Sequence, residues 1–350
     1  MKIFENLWNI WIDLFRKNEK KESVPKPEPI SIIIEKPKPE PIPEPEKDYG
    51  NLINAMGKGQ FIYYLDSLYN EEGGIEKTVA RFKEWGLNHV WIRIVGKKGW
   101  SNTQTKQQAR DFMQACLESK INVGAWGFIY DEDSQPDKYA HYVVQYVQEL
   151  GITCFIHNAE FDHEDDSLII ELEHAHKYWN VIESEIPDIC HGLSTYWNPN
   201  YHPNFPWKVY VDHINFIAPQ IYHVKKDPIA TIKKGIYLNS KFNLPIVVTG
   251  QAFWSELGLT EIEATKDFVI ICNKWNIELN NFILRNDVSH INGTETDKIK
   301  AIEEGKGKPS KAPVIGVNWW HAGGSRTSAM NEEMEMNLIE FNPILNKPII

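Results

Sequence analysis

Short apolar runs of β type recur along the chain, and stretches of helical length with an apolar face lie between most of them. The runs are Phe61 to Asp66, His89 to Arg93, Asn122 to Tyr130, Thr153 to Glu160, Cys190 to Trp197, Ile214 to Tyr222, Pro245 to Trp254 and Val314 to His321. The helical stretches are Ile75 to Trp85, Thr105 to Lys120, Asp137 to Leu150, Ser167 to Ile186, Pro228 to Phe242 and Thr260 to Trp275. Strand alternating with helix predicts a parallel sheet with crossover helices, and eight such strands predict an α/β fold, a single (β/α)8 TIM barrel. Gly86 and Gly151 fall where helices should stop, which suits glycine at a helix C-terminus. The spacing is uneven: it predicts a poor helix after the fifth strand and an insertion near Ile277 to Pro313.

The first fifty residues differ in kind. Met1 to Lys21 places Ile3, Phe4, Leu7, Trp8, Trp11, Leu14 and Phe15 on one helical face, an apolar stripe that needs a surface to bury against. Three surfaces are open to it: the protein's own, a partner protein, or a membrane surface. Glu5, Asn6, Asn9 and Asp13 break any signal-peptide core, and the stretch is too short and polar to span a bilayer. From Pro25 to Pro45 proline alternates with Lys and Glu, as in an extended spacer. The expected organisation is a helix over 1–21, a linker over 22–48 and a barrel over 49–350.

Charge and cysteine usage narrow the chemistry. The chain carries −11, and its first fifty residues hold nine basic and ten acidic side chains, leaving about −10 for the barrel. Such a domain repels phosphate backbones, which argues against nucleic acid. Cys116, Cys154, Cys190 and Cys272 lack the spacing of a zinc site or a disulfide framework and read as reduced packing residues. Other nucleophile motifs are absent: the sequence holds no G-x-S-x-G elbow, phosphate loop or H-E-x-x-H helix, and no cofactor is expected.

The run ending His157-Asn158-Ala159-Glu160 is the strongest chemical signal, because a parallel barrel presents catalytic groups at the C-terminal ends of its strands. Glu160 is the candidate general acid, with a salt-bridged strand-end glutamate as the alternative. Asn158 shares its direction, two residues away on the strand. It can orient an acetamido group for substrate-assisted hydrolysis, or satisfy a nearby backbone group. Asp66 supports charge at the sugar or caps a turn. Gln220 and Tyr222 alternate onto one face and can donate to a sugar. Trp126, Trp197, Trp254, Trp319 and Trp320 lie near strand ends, where flat rings suit stacking on sugars, although tryptophan is also a core residue. His157, Glu160, Asp162, His163 and Glu164 invite a metal reading, but His157 and Glu160 point to opposite faces of a strand, so no metal is expected.

Several segments resemble the lysozyme-type muramidases of glycoside hydrolase family 25 and, more distantly, family 18 chitinase-like barrels. They are Tyr64-Leu65-Asp66, Val123-Gly124-Ala125-Trp126-Gly127-Phe128, Asn158-Ala159-Glu160 and Val317-Asn318-Trp319, with Pro219-Gln220-Ile221-Tyr222 similar to a sixth-strand chitinase-like motif. Asn158 stands where the muramidases carry aspartate, and Gly316 where their eighth strand supplies another. The Asn-x-Glu pair is similar to that of family 85 endo-β-N-acetylglucosaminidases. The resemblance implies hydrolysis of a β-linked N-acetylhexosamine polymer such as peptidoglycan, without a cofactor. It implies Glu160 as acid and base, Asn158 and Tyr222 on the acetamido group, and Asp66 in support. Gln220, Trp126, Trp197, Trp254, Asn318, Trp319 and Asp162 would bind the glycan. A hydrolase behind a spacer and an amphipathic helix would suit a phage lysin or virion-associated enzyme. A silent glycan-binding or structural barrel is the rival, and so is an enzyme for another polysaccharide using Asp162 or Glu164.

Overall fold

A computed structural model describes residues 50–101, 103–129, 136–159, 172–254, 258–322 and 330–346. The N-terminal helix and linker expected over 1–48 lie outside these residues, as do Glu160, Asp162, His163 and Glu164. The strands are Gly57–Ile62 (β1), His89–Gly96 (β2), Gly99–Trp100 (β3), Asn122–Phe128 (β4), Cys154–Asn158 (β5), Cys190–Tyr196 (β6), Phe216–Ile221 (β7), Ile246–Gln251 (β8) and Val314–Ala322 (β9). All but β3 pair in parallel, in the order β1-β9-β8-β7-β6-β5-β4-β2, and β1 pairs with β2 to close the barrel. The TIM barrel read from the sequence is therefore the fold. β3 is a two-residue antiparallel addition to β2.

The helices follow from local signals. Leu65–Glu72 (α1) and Ile75–Glu84 (α2) precede Lys106–Glu118 (α3), which opens on a reciprocal cap between Thr105 and Gln108. Pro136–Leu150 (α4), Leu172–Glu185 (α5), Trp207–His213 (α6) and Pro228–Asn239 (α7) follow, with α6 the short fifth helix that the spacing implied. Glu261–Glu278 (α8) starts on a Thr260–Glu263 box. The insertion holds Asn280–Leu284 (α9) and Glu295–Glu303 (α10), and Glu332–Glu340 (α11) closes the described chain.

The first strand differs from the sequence reading: β1 runs from Gly57 to Ile62, and Asp66 lies in the first turn of α1. Two causes are visible. Leu65, Leu68 and Tyr69 repeat at helical spacing and are buried, so helix formation begins where alternation had been assumed to continue. Gly57 and Gly59 carry no side-chain signal for a strand, yet glycine is required at 59, because a Cβ there would stand 2.0 Å from His89 Nε2 and 2.5 Å from Asn318 Oδ1.

Alternation along the strands sorts the interior into two layers. Phe61, Tyr63, Trp91, Trp126, Phe128, Cys154, Ile156, Cys190, Phe216, Ala218, Val247 and Ile315 fill the barrel itself. Leu52 and Ala55, from the 3-10 turn Gly50–Ala55, plug its floor. Neighbours such as Ile92, Phe155, Leu193, Ile217, Val248 and Trp319 pack outward against the helices. Cys154 and Cys190 are register partners on β5 and β6 and are both free thiols, with burial pushing Cys154 well above the usual thiol range.

Candidate active site at the C-terminal ends of the strands

The C-terminal ends of β5, β6 and β7 bring three neutral polar side chains together. Asn158 follows Cys154 and Ile156 on the inward face of β5 and is 3% exposed. Its register partner Ser194 is inward on β6. Gln220, inward on β7, donates from Nε2 to Asn158 Oδ1 at 3.2 Å and to Ser194 Oγ at 3.2 Å. Asn158 Oδ1 is thereby held as an acceptor, and its Nδ2 donors meet no acceptor among the described residues. The backbone beyond is pinned too: Ala159 N–H donates to Ser194 O at 2.9 Å, and Thr195 Oγ1 donates to Ala159 O at 2.9 Å. The chain is thus held by β6 up to the residue before Glu160.

Opposite this trio stands an aromatic group. Trp126 lies 5.3 Å from Trp320 and 5.4 Å from Phe128 between ring centroids, and Tyr63 lies 5.7 Å from Trp126. The Arg93 guanidinium, inward on β2, lies over the rings of Tyr63, Phe128 and Trp126 at 4.6, 5.1 and 5.8 Å. Tyr63 leads up to Tyr64, 37% exposed, with their ring centroids 4.5 Å apart. The result is a neutral hydrogen-bonding edge facing an aromatic edge that carries one cation, an arrangement suited to a polar ligand with apolar faces.

The other sequence-predicted residues divide by position. Asp66 is half-buried in α1, where its Oδ1 accepts from Ser67 N–H at 2.8 Å and its own N–H donates to Thr103 O at 3.2 Å. Tyr222 stands beyond β7, its N–H turned back to Gln220 O at 2.9 Å, so strand alternation with Gln220 ends there. Its ring meets Phe253 edge-on at 5.4 Å. Trp197 is buried in the outer core against Tyr201, and Trp254 packs half-buried against the same layer. Trp319 also faces outward, fully buried between Phe268 at 4.6 Å and Phe341 at 5.9 Å. Of the five tryptophans, Trp126 and Trp320 alone turn into the barrel.

The cause of the Trp319 placement is a register shift where β8 meets β9, between the pairs Ile246–Val314 and Val247–Gly316. One extra residue in β9 inverts its alternation, turning Asn318 and Trp320 inward and Trp319 outward. Asn318 is wholly buried below the strand ends: Trp91 Nε1 donates to its Oδ1 at 3.2 Å, and His89 Nε2 lies 2.6 Å from the same oxygen. Thr249, its register partner on β8, is 1% exposed, and its Oγ1 makes no hydrogen bond. An unpaired buried hydroxyl costs stability, so Thr249→Val, which conserves volume, is expected to leave the melting temperature unchanged or raise it. Melting more than a few degrees lower in calorimetry would show that the hydroxyl is satisfied.

On the outer face of β5 a second polar chain runs through the core. His157 Nδ1 accepts from Tyr178 Oη at 2.6 Å, His157 Nε2 donates to His191 Nδ1 at 3.0 Å, and His191 Nε2 donates to Ile186 O at 3.2 Å. This is the one pattern that leaves both rings neutral, because the terminal carbonyl can only accept. Burial holds His157 well below the usual imidazole range, and His191 down to about 4. His157 therefore ties β5 to α5 and β6 on the side away from Asn158. Among the described residues no group of three or more His, Cys, Asp or Glu could hold a metal ion.

Sequence reasoning missed Ser194, Arg93, Tyr63 and Phe128, and it chose Trp319 over its neighbour Trp320 as the glycan-binding ring. Alternation from Asn158 and Trp126 would have named Phe128, and the same parity within β6 would have named Ser194 from Gly192. Nothing local marks Arg93, whose role depends on rings from other strands.

No family model matches this sequence, and no curated protein matches it. The resemblance to family 25 muramidases thus finds no matching family. Solved structures do match the barrel. GH5_18 from Bifidobacterium longum subsp. longum, in complex with Manβ1-4GlcNAc, is similar at TM-score 0.50 and 11% identity over 81% of this chain and 77% of that one. The spore cortex-lytic enzyme SleL of Bacillus cereus is similar at TM-score 0.48 and 10% identity, covering 83% of this chain and 75% of that chain. A GH18 chitinase from Pseudoalteromonas aurantia is similar at 0.45 and 10%, over 76% and 94%. The likeness is one of fold.

Proposed function

We propose that this barrel is a glycoside hydrolase acting on β-linked N-acetylhexosamine polymers, with peptidoglycan glycan strands as the foremost candidate. The observation that carries the reading is Asn158: its Oδ1 is fixed by Gln220, while its Nδ2 donors meet no acceptor among the described residues. An acetamido carbonyl oxygen is a matching acceptor. A substrate-assisted reaction needs that oxygen to be oriented, and its developing oxazolinium charge to be met by neutral hydrogen-bonding groups. Glu160, two residues on, is the proposed acid and then base. Tyr222 and Asp66 are proposed in support, and the rings of Trp126 and Trp320 as the stacking surface. Enzymes named as a cortex-lytic enzyme, a chitinase and a GH5_18 protein bound to a GlcNAc-containing glycan share the barrel, which is consistent with this chemistry without identifying it.

One observation favours the rival reading, a silent glycan-binding barrel. Among the described residues, the inward positions at the strand ends hold Tyr63, Arg93, Phe128, Asn158, Ser194, Gln220, Gln251 and Trp320, and no carboxylate. The hydrolase reading therefore stands on Glu160.

The test is release of reducing ends by the full chain from peptidoglycan, from chitin oligomers and from cellulose oligomers. Turnover of an N-acetylated substrate with none of the 2-hydroxyl sugar supports substrate assistance. Turnover of cellulose would replace it with a two-carboxylate scheme, and binding of N-acetylated glycan without any turnover would establish the silent barrel.

A further inference from the structure

We propose that Ser194 is a further specificity-determining residue of this site, its hydroxyl donating to the same acyl oxygen as the Asn158 amide, with Gln220 as the positioning residue that turns both towards it; the inference rests on the N-acetylated glycan reading of the same site. Gln220 Nε2 donates to Asn158 Oδ1 and to Ser194 Oγ, each at 3.2 Å. A serine hydroxyl has one hydrogen and two lone pairs. With a lone pair engaged by Gln220, its hydrogen points away from that amide, and no described residue accepts it. Its surroundings supply the reason. Ser194 is 3% exposed and pairs in register with Asn158 on β5, whose oxygen is already turned to Gln220, and with Ala218 on β7, which offers only a methyl group. On the level beneath stands Gly192, where a Cβ would lie 2.2 Å from Phe216 Cζ, so an aromatic ring closes the space below the hydroxyl.

A buried donor without an acceptor is costly, and at the mouth of a site the missing acceptor is supplied by a ligand. Ser194 and Asn158 stand on adjacent strands, about 4.8 Å apart, and both are tied to one nitrogen, so their free hydrogens reach a single oxygen. An N-acyl carbonyl oxygen fits, because it accepts through two lone pairs near the plane of its amide. A sugar with a plain 2-hydroxyl ends short of that oxygen and leaves both donors unpaired, the condition under which a polar site rejects an analogue most strongly. The two donors therefore select an N-acylated sugar and fix the direction of its carbonyl oxygen.

The experiment measures affinity by calorimetry, and initial cleavage rates, for the full chain with two oligosaccharides. One is a chitin oligomer, and the other is the same oligomer with thioacetamido groups, in which sulfur, a weak acceptor, replaces the oxygen. Ser194→Ala is expected to weaken binding of the acetamido ligand by about 10-fold, the worth of one hydrogen bond, and of the thioacetamido ligand by less than about threefold. Ser194→Thr, which keeps the hydroxyl, is expected to recover part of the loss. Gln220→Met, which keeps the length of the side chain and removes its amide, is expected to cost the acetamido ligand at least as much, because it releases both donors. Melting curves establish that the variants fold. A loss equal on both ligands assigns Ser194 to structure alone and overturns the inference, as does no loss on either; cleavage by the wild type then leaves the hydrolase reading intact. Loss confined to the acetamido ligand supports the inference, and binding without cleavage by the wild type overturns the hydrolase reading alone. Absence of binding and cleavage with both ligands overturns both.

Discussion

Replacing Glu160 with Gln is expected to lower turnover of an N-acetylated glycan by roughly 10³-fold or more while leaving glycan affinity within a few-fold. Gln keeps the shape of the side chain and can still donate from its amide, but it cannot give a proton to the departing oxygen or take one from water. The loss should therefore appear in kcat rather than KM. Asn158→Ala is expected to cost on the order of 10²-fold in kcat, because it removes a donor aimed at charge that develops only on the way to the transition state. It also strips Gln220 of an acceptor, and Ser194 Oγ, 3.2 Å from the same Nε2, keeps that amide in place. Steady-state kinetics on one substrate, with affinity measured separately, tests both. Turnover within tenfold of wild type in Glu160→Gln would sink the assignment and transfer the acid role to Asp162 or Glu164.

Acid should unfold the barrel well before its carboxylates are protonated. His89 and His191 are lowered by burial from 6.5 to about 4, and His157 is lowered well below 6.5 for the same reason. Above pH ~6.5 these rings are neutral in both folded and unfolded chains, and they add no pH dependence. Between pH 6.5 and about 4 the unfolded chain binds protons that the folded one refuses, so each ring removes ~1.4 kcal/mol of stability per pH unit. Three such rings give a slope of up to roughly 4 kcal/mol per pH unit, against a total stability of 5–15 kcal/mol typical of domains.

The His157–His191 pair sharpens the effect. A proton added to His191 Nδ1 faces the His157 Nε2–H that donates to it, so His191 cannot accept one without breaking that bond. Melting temperature is therefore expected to fall steeply from pH 6.5 towards 4. A double variant, His157→Gln with His191→Gln, should flatten the slope whatever its absolute stability. A melting temperature constant between pH 6.5 and 5 would show that these rings are already charged in the folded protein.

Much of the barrel was legible in the chain because parallel strands buried on both faces write themselves as short apolar runs, and crossover helices as amphipathic ones. The runs at His89, Asn122, Cys190 and Val314 match β2, β4, β6 and β9 at their starts. The short helix Trp207–His213 and the insertion fall where spacing alone put them, while the insertion's helices Asn280–Leu284 and Glu295–Glu303 were not read from the sequence. The first strand was misplaced because a glycine-containing strand gives no hydrophobic signal, while Leu65-Asp66 reads equally as a strand end or a helix start.

The site was legible only as far as parity along a single strand reaches. Asn158 could be assigned to the inward face from its own run, since side chains two apart share a direction. Trp319 and Trp320 could not be told apart, because which of two consecutive residues turns inward depends on the extra residue in β9, and that is set by pairing with β8 and not by the run itself. Nor could the sequence bring Gln220 to Asn158, 62 positions apart, or lay Arg93 across the rings of Tyr63, Trp126 and Phe128. The sequence by itself determined the barrel, its order of elements and the inward direction of Asn158, because these follow from local periodicity and burial. Tertiary structure alone decided which polar groups meet and which tryptophans face the site, because those contacts are fixed by closure of the sheet and the register between its strands.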